Sequence, residues 1–265
     1  MERNPLDLDV NAQLLLARRA TDFFSDTLSV LPDAELGGAS LLSGWTRGHV
    51  VSHVAYNAHA IARLVEWART GVETPMYESV AVRNREIDEG AALDAVALRT
   101  LFSESAAHLD EAWNDLPADC WARPVRTMQG REIPTSGTIW MRTRELWVHA
   151  VDLAAADTSF ADVPAEAIDR LLSDVVDAWT SRGDGAGLIL NVTDSALPLR
   201  FGETDTETDT ASETDTASET DTAFATEHTD TVSGTRAALA EWATGRGAAD
   251  VSSTSGEVRV APRWL

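Results

Sequence analysis

Lysine is missing altogether. All 21 basic residues of this 265-residue chain are arginines, against 43 aspartates and glutamates, for a formal charge of −22. A field of that sign repels phosphate backbones and anionic headgroups, so neither nucleic acid nor a membrane surface is an expected partner. Long apolar runs are missing too. No stretch approaches the roughly 20 apolar residues of a bilayer span, and Met1 to Val10 carry acids where a signal peptide would need an apolar segment. Cysteine is nearly absent: Cys120 stands alone and can form no internal disulfide, which fits a reducing compartment. With Pro117, Asp119 and Trp121 around it and no base nearby, it reads as an inert thiol. No Gly-x-Gly-x-x-Gly follows a strand, no Walker loop exists and no serine sits in a nucleophile elbow. A soluble cytoplasmic protein, and a monomer, is the expectation.

What is present is a helical pattern, and 44% hydrophobic residues are enough to fill a core. Apolar residues between Asn11 and Leu31 recur at helical spacing and stop at Pro32. A second helix starts at a Thr46 cap and runs to Gly71, its buried stripe carrying Val50, His53, Val54, Asn57, Ile61 and Leu64. Gly71 to Gly90 reads as a crossover with a short helix near Val82 to Asp88. Helices follow over Leu93 to Leu116 and Thr138 to Ala156, separated by a hairpin-like stretch from Trp121 to Pro134. Pro164 opens another helix through Trp179. Beyond three glycines, at 183, 185 and 187, strands are expected at Leu188 to Val192, Leu197 to Phe201 and Glu257 to Val260, with a helix over Gly234 to Thr244. The fold class is therefore mainly α with a small α+β domain: a helical bundle over residues 1 to 180 and a C-terminal domain over 181 to 265.

Between Glu203 and Thr231 the repeat Glu-Thr-Asp-Thr recurs with Ala-Ser spacers, and its ten acids leave −12 on the rest of the chain. Such a segment buries too little apolar surface to offset its ordering entropy and is expected to be a solvated insertion. It lacks the glycine and terminal glutamate of a calcium-binding loop. The acidity matches what a salt-adapted or GC-rich lineage would give, so it reads as environmental.

The residues that suggest chemistry lie on two helices. Glu145 and His149 are four apart and project from one face, their β-carbons about 5 to 6 Å apart. If helix two is a neighbour, a histidine from it completes a two-histidine, one-carboxylate set, the ligand type of catalytic zinc with an open position. Asp152 could orient a ligand from behind. Which histidine contributes stays open on spacing alone, because His49 and His53 are also four apart. His59 and His108 read as surface residues, His228 lies in the acidic repeat, and Trp45 and Trp147 are placed to wall a pocket.

Four segments are familiar as a set: Leu42 to Asn57 (LSGWTRGHVVSHVAYN), Glu73 to Tyr77 (ETPMY), Trp140 to Leu153 (WMRTRELWVHAVDL) and Pro262 to Leu265 (PRWL). In order and at comparable spacing they resemble the mycothiol-dependent maleylpyruvate isomerases over nearly the whole chain, the acidic repeat excepted. The resemblance implies a DinB-like four-helix bundle carrying zinc, followed by a sterol-carrier-like α+β domain. It places the metal ligands on His53, Glu145 and His149. It also implies substrate-binding arginines at Arg246, in Gly245-Arg246-Gly247, and at Arg83 in the crossover. The implied function is a zinc- and thiol-dependent cis-trans isomerase of gentisate-type aromatic degradation, acting on a small dicarboxylate. Mycothiol or another small thiol, held as thiolate by zinc, would add to the double bond of maleylpyruvate, allow rotation and leave fumarylpyruvate. A mycothiol-dependent S-transferase or hydrolase, or a non-catalytic DinB-like metal module, is the alternative.

Because closure entropy grows only slowly with loop length, a chain lacking Glu203 to Asp230 should fold with unchanged metal content and turnover. Metal analysis and assay of the shortened chain against the parent check this.

Overall fold

The computed structural model describes residues 9–155, 158–185, 187–196, 198–202 and 230–264. Among these no helix is long and apolar enough to cross a membrane. The acidic repeat and His228 lie outside the described residues, apart from the repeat's last two, Asp230 and Thr231. Two compact units divide the chain, Met1–Asp162 and Val163–Leu265.

The first unit holds α1 (Val10–Ser29), α2 (Arg47–Thr70), α3 (Val80–Ala91), α4 (Ala95–Asn114) and α5 (Gly137–Asp152). Four of these helices begin where a short polar side chain takes up a free N–H. Asp9 accepts from Ala12 N at 2.9 Å, Ser79 from Val82 N at 3.1 Å and Asp94 from Ala97 N at 2.9 Å. Thr46 does the same for α2, accepting from His49 N at 3.3 Å, while the His49 ring reaches back to Thr46 N. Gly71 ends α2 with φ of 76°, a left-handed position that suits glycine.

Its buried residues, among them Val50, Val54, Ile61 and Leu64, make α2 the centre of the bundle. It packs along α4 and α5, α3 lies against it, and α1 packs on α5. The close approach of α3 depends on Gly90, where a β-carbon would stand 2.3 Å from Ser52 Oγ. The same Ser52 hydroxyl donates to the Ile87 carbonyl at 2.8 Å. Between α4 and α5 runs the expected hairpin, β1 (Pro124–Arg126) paired antiparallel with β2 (Glu132–Pro134).

In the second unit, α6 (Ala165–Arg182) and α7 (Arg236–Ala243) accompany a four-stranded sheet. Its strands are β3 (Leu188–Val192), β4 (Leu199–Phe201), β5 (Asp230–Gly234) and β6 (Ser252–Ser253), in the order β4-β3-β5-β6. β3 and β5 are parallel, and the other two pairings are antiparallel. Trp179 of α6 and Trp242 of α7 meet edge to face at 5.9 Å. Their indole N–H groups hold the C-terminal stretch, donating to the carbonyls of Pro262 and Arg259 at 2.9 Å each.

Four expectations from the sequence are corrected. The boundary falls at Asp162/Val163 instead of near residue 180, because α6 packs on α7 and β4. Glu257 to Val260 forms no strand: Val260 is 92% exposed, and β5 is paired instead by the polar Ser252 and Ser253. Gly234 closes β5 instead of opening the helix, whose cap is Thr235. Asp230 is not part of a solvated insertion: it opens β5, and its carboxylate accepts from the hydroxyls of Ser253 at 2.6 Å and Thr254 at 3.2 Å. An excision of the repeat must therefore stop short of it.

Thr46→Ala removes the hydroxyl arm of the cap on α2, leaving only the bond from the backbone N–H of residue 46 to the His49 ring, and should destabilise the protein by about 1 kcal/mol. Urea unfolding of the variant beside the parent measures this directly.

Candidate metal centre

The start of α2 is tied to the end of α5. Arg47 Nε donates to the Leu153 carbonyl at 2.6 Å and Nη2 to the Ala154 carbonyl at 3.3 Å, the two carbonyls that directly follow the end of α5. Leu41 N adds a bond to the Asp152 carbonyl at 3.0 Å. The helices are thus antiparallel with their ends fixed. His53 lies six residues into α2, about 9 Å along its axis, and His149 four residues before Leu153, about 6 Å from that end. The two histidines therefore come to nearly the same level.

They converge on one oxygen. His53 Nε2 is 3.0 Å and His149 Nε2 3.2 Å from Glu145 Oε2, and the imidazole rings stand edge to face with centroids 4.9 Å apart. One ligand atom from each of His53, Glu145 and His149 lies within 4.8 Å of the others, forming the only such group among the described residues. Behind His149, the fully buried Asp152 carboxylate holds Nδ1 at 2.8 Å, which fixes the ring so that Nε2 faces inward. Trp45 stands edge-on to His53 at 5.4 Å and walls the site, whereas Trp147 packs against Phe23 of α1 at 4.8 Å.

Protonation follows from these partners. Burial pushes His53 down to about 4, so its ring is neutral at neutral pH. Arg83 Nη2 donates to its Nδ1 at 3.3 Å, leaving Nε2–H to donate to Glu145. Burial would lower His149 as well, but hydrogen bonds to Asp152 and Glu145 outweigh it and carry the group up to about 9. Burial likewise opposes the charge on Glu145, yet bonds from His149 and His53 hold its carboxyl well below the usual range. The result is a buried anion between two imidazoles whose Nε2 protons occupy the focus of three donor atoms. A divalent cation would fit there with both rings neutral. His149 would lose its Nε2 proton and keep the one that Asp152 holds on Nδ1, and His53 would move its single proton from Nε2 to Nδ1, giving up the bond from Arg83. The nitrogen and oxygen ligands are of the kind zinc prefers.

The structure therefore brings together His53, Glu145, His149, Asp152 and Arg83. His49 is spent on the helix cap, its ring nitrogen 2.6 Å from Thr46 Oγ1. Arg246 belongs to the second unit, on the turn after α7, where it donates to the Thr244 carbonyl. A cavity of about 660 Å³ along α2 and α4, lined by His59, Arg63 and His108 among others, contains none of the three converging residues. Two neighbours escaped the sequence reading of the site. Arg142, one turn before Glu145, gave only the weak signal of a charge on a buried stripe, and Tyr77, in the crossover, gave no periodic signal at all.

Two family models match the chain. The one described as the mycothiol maleylpyruvate isomerase N-terminal domain covers residues 17–154, and the MDMPI C-terminal domain covers 162–263. Among solved structures, the crystal structure of the mycothiol-dependent maleylpyruvate isomerase is 42% identical, with a TM-score of 0.84 over 97% of this chain and 98% of that chain. A histidine-to-alanine mutant of that enzyme is 41% identical, with the same TM-score and coverage. No curated protein matches the sequence.

His149→Ala should abolish stoichiometric divalent-metal binding, whereas His49→Ala should keep the metal and lose only cap stability. Metal analysis of the two purified variants decides between them, and full metal retention by His149→Ala would remove the residue from the ligand set.

Proposed function

The chain belongs to the mycothiol maleylpyruvate isomerase family, and from that premise we propose that it converts maleylpyruvate into fumarylpyruvate, with zinc held by His53, Glu145 and His149 and mycothiol as its thiol. The observation that carries this reading is the convergence of two imidazole nitrogens and a carboxylate oxygen within 4.8 Å inside such a fold. A zinc ion with three protein ligands keeps a position open and favours a bound thiol as thiolate at neutral pH, the nucleophile that a cis-trans isomerisation by addition and elimination requires.

The chain's own residues account for the remaining needs. Cys120 is 2% exposed and cannot serve as the nucleophile, so the thiol has to be supplied from outside the polypeptide. Asp152 fixes the ring and tautomer of His149. The buried Glu145 contributes one negative charge, which leaves the set with net positive charge once a divalent cation is bound and thereby supports a thiolate. Arg83, beside His53 and only half-buried, is placed to pair with a carboxylate of the dianionic substrate, for which the planar guanidinium fork is suited. Arg246 is proposed as the second carboxylate-binding arginine on the family resemblance around Gly245-Arg246-Gly247.

Spectroscopic assay of maleylpyruvate conversion with mycothiol, with glutathione and without thiol tests the reading. Turnover should require an added thiol, and equal rates without any would exclude the thiolate route. Arg246→Met should keep its zinc and lose about 10- to 150-fold in turnover, the value of one charge-assisted contact. Arg246→Lys should recover only part of that loss.

A further inference from the structure

Near the three converging residues two buried donor atoms, Tyr77 Oη and Arg142 Nη2, have nothing to donate to. Tyr77 enters from the segment between α2 and α3, is 9% exposed, and packs in the apolar cluster that includes Ala58, Ile61 and Ile139. The guanidinium of Arg63 lies 5.6 Å from its ring centroid. Its hydroxyl is buried without a hydrogen-bond partner. Arg142 on α5 is 1% exposed. Its Nη1 donates to the Val54 carbonyl and to Asn57 Oδ1 at 3.1 Å, while Nη2 has no partner.

These two groups belong to the surroundings of the centre. Arg142 precedes Glu145 by three residues and His149 by seven, so all three share one face of α5. On α2 the matching pair is His53 and Asn57, one turn apart, so the His53–Glu145 contact and the Asn57–Arg142 contact form successive rungs between the helices. Tyr77 lies in the electrostatic field of Arg83, Glu145, Arg63 and Glu86, and Arg142 in that of Glu145 and Tyr77. Both groups are donors at neutral pH, since burial pushes the phenol up to about 12 and lowers the guanidinium only to about 10.

A buried hydroxyl or guanidinium N–H stripped of water and left unpaired is costly, and native proteins keep few of them without a functional reason. What this pair lacks is an acceptor, and a buried cation beside a phenol favours a negatively charged one. A carboxylate supplies two oxygens and the compensating charge. We propose that the Tyr77 hydroxyl and the Arg142 guanidinium form, together with Arg83, the receptor for one carboxylate of the substrate beside the His53–Glu145–His149 centre, the other being the one assigned to Arg246. The identity of that dicarboxylate rests on the isomerase reading above; the receptor itself rests on the two unpaired donors.

Tyr77→Phe is the decisive variant, because it removes an oxygen that bonds to nothing in the free protein. Its melting temperature should equal or exceed the parent's, and its metal content should be unchanged. Maleate, an unreactive cis-dicarboxylate, is the probe: its dissociation constant on the metal-loaded protein, read by calorimetry, should rise about 10-fold or more. Equal maleate affinity in variant and parent overturns the receptor. So does absence of maleate binding by the parent, or a variant that loses stability and metal together, which would show the hydroxyl to be structural. A parent that binds maleate through Tyr77 yet converts no maleylpyruvate would leave the receptor standing and refute the isomerase reading. A parent that isomerises while Tyr77→Phe binds maleate normally would refute the receptor alone.

Discussion

One buried carboxylate oxygen, Oε2 of Glu145, sets the conditions for the rest of the first unit. An ionised carboxylate inside a helical bundle is tolerable only if donors surround it, and here two imidazoles do so at 3.0 and 3.2 Å. Each imidazole then needs its own outer partner to hold its ring and tautomer, which Asp152 and Arg83 provide. Removing any member exposes the next to an unmet charge. This coupling explains why a small cluster draws residues from three helices, α2, α3 and α5, and why the contacts among those helices have so little freedom.

Helix placement is correspondingly specific. Arg47 binds the two carbonyls that follow α5 and thereby fixes how far along α2 each side chain meets its neighbour. Gly90 allows α3 to lie against Ser52, bringing Arg83 over the histidine one residue further on. Thr46 and His49 are consumed in starting α2 at the right residue. A slip of one residue there would rotate His53 by about 100° and break the contact with Glu145.

Tyr77 Oη and Arg142 Nη2 are, with Glu86 Oε2 and Trp147 Nε1, among the few buried polar atoms of the bundle that have no hydrogen-bond partner. Natural sequences depart from local optimality mainly where function requires it. Their position next to the one metal-competent cluster among the described residues gives the departure a location consistent with that rule.

The sequence alone determined the helices and most of their ends, because a 3.6-residue apolar period and caps such as Thr46, Gly71 and Pro164 act through neighbours a few residues away. It also determined that Glu145 and His149 share a face, since i and i+4 do so in any helix. It could not choose between His49 and His53 by spacing, because both satisfy the same period; that choice depended on which ring α5 faces and which one the cap consumes. It misplaced the last strand and missed β5, since a parallel pairing of Leu188–Val192 with Asp230–Gly234 is specified by the partner strand and only weakly by the residues themselves. It placed Tyr77 in the familiar ETPMY segment but gave it no role in the site, because the crossover has no period that would show which residues face the bundle. Contacts local in sequence are encoded by the spacing of residue types, whereas contacts between distant segments exist only after the chain has closed, and there tertiary structure alone decided the outcome.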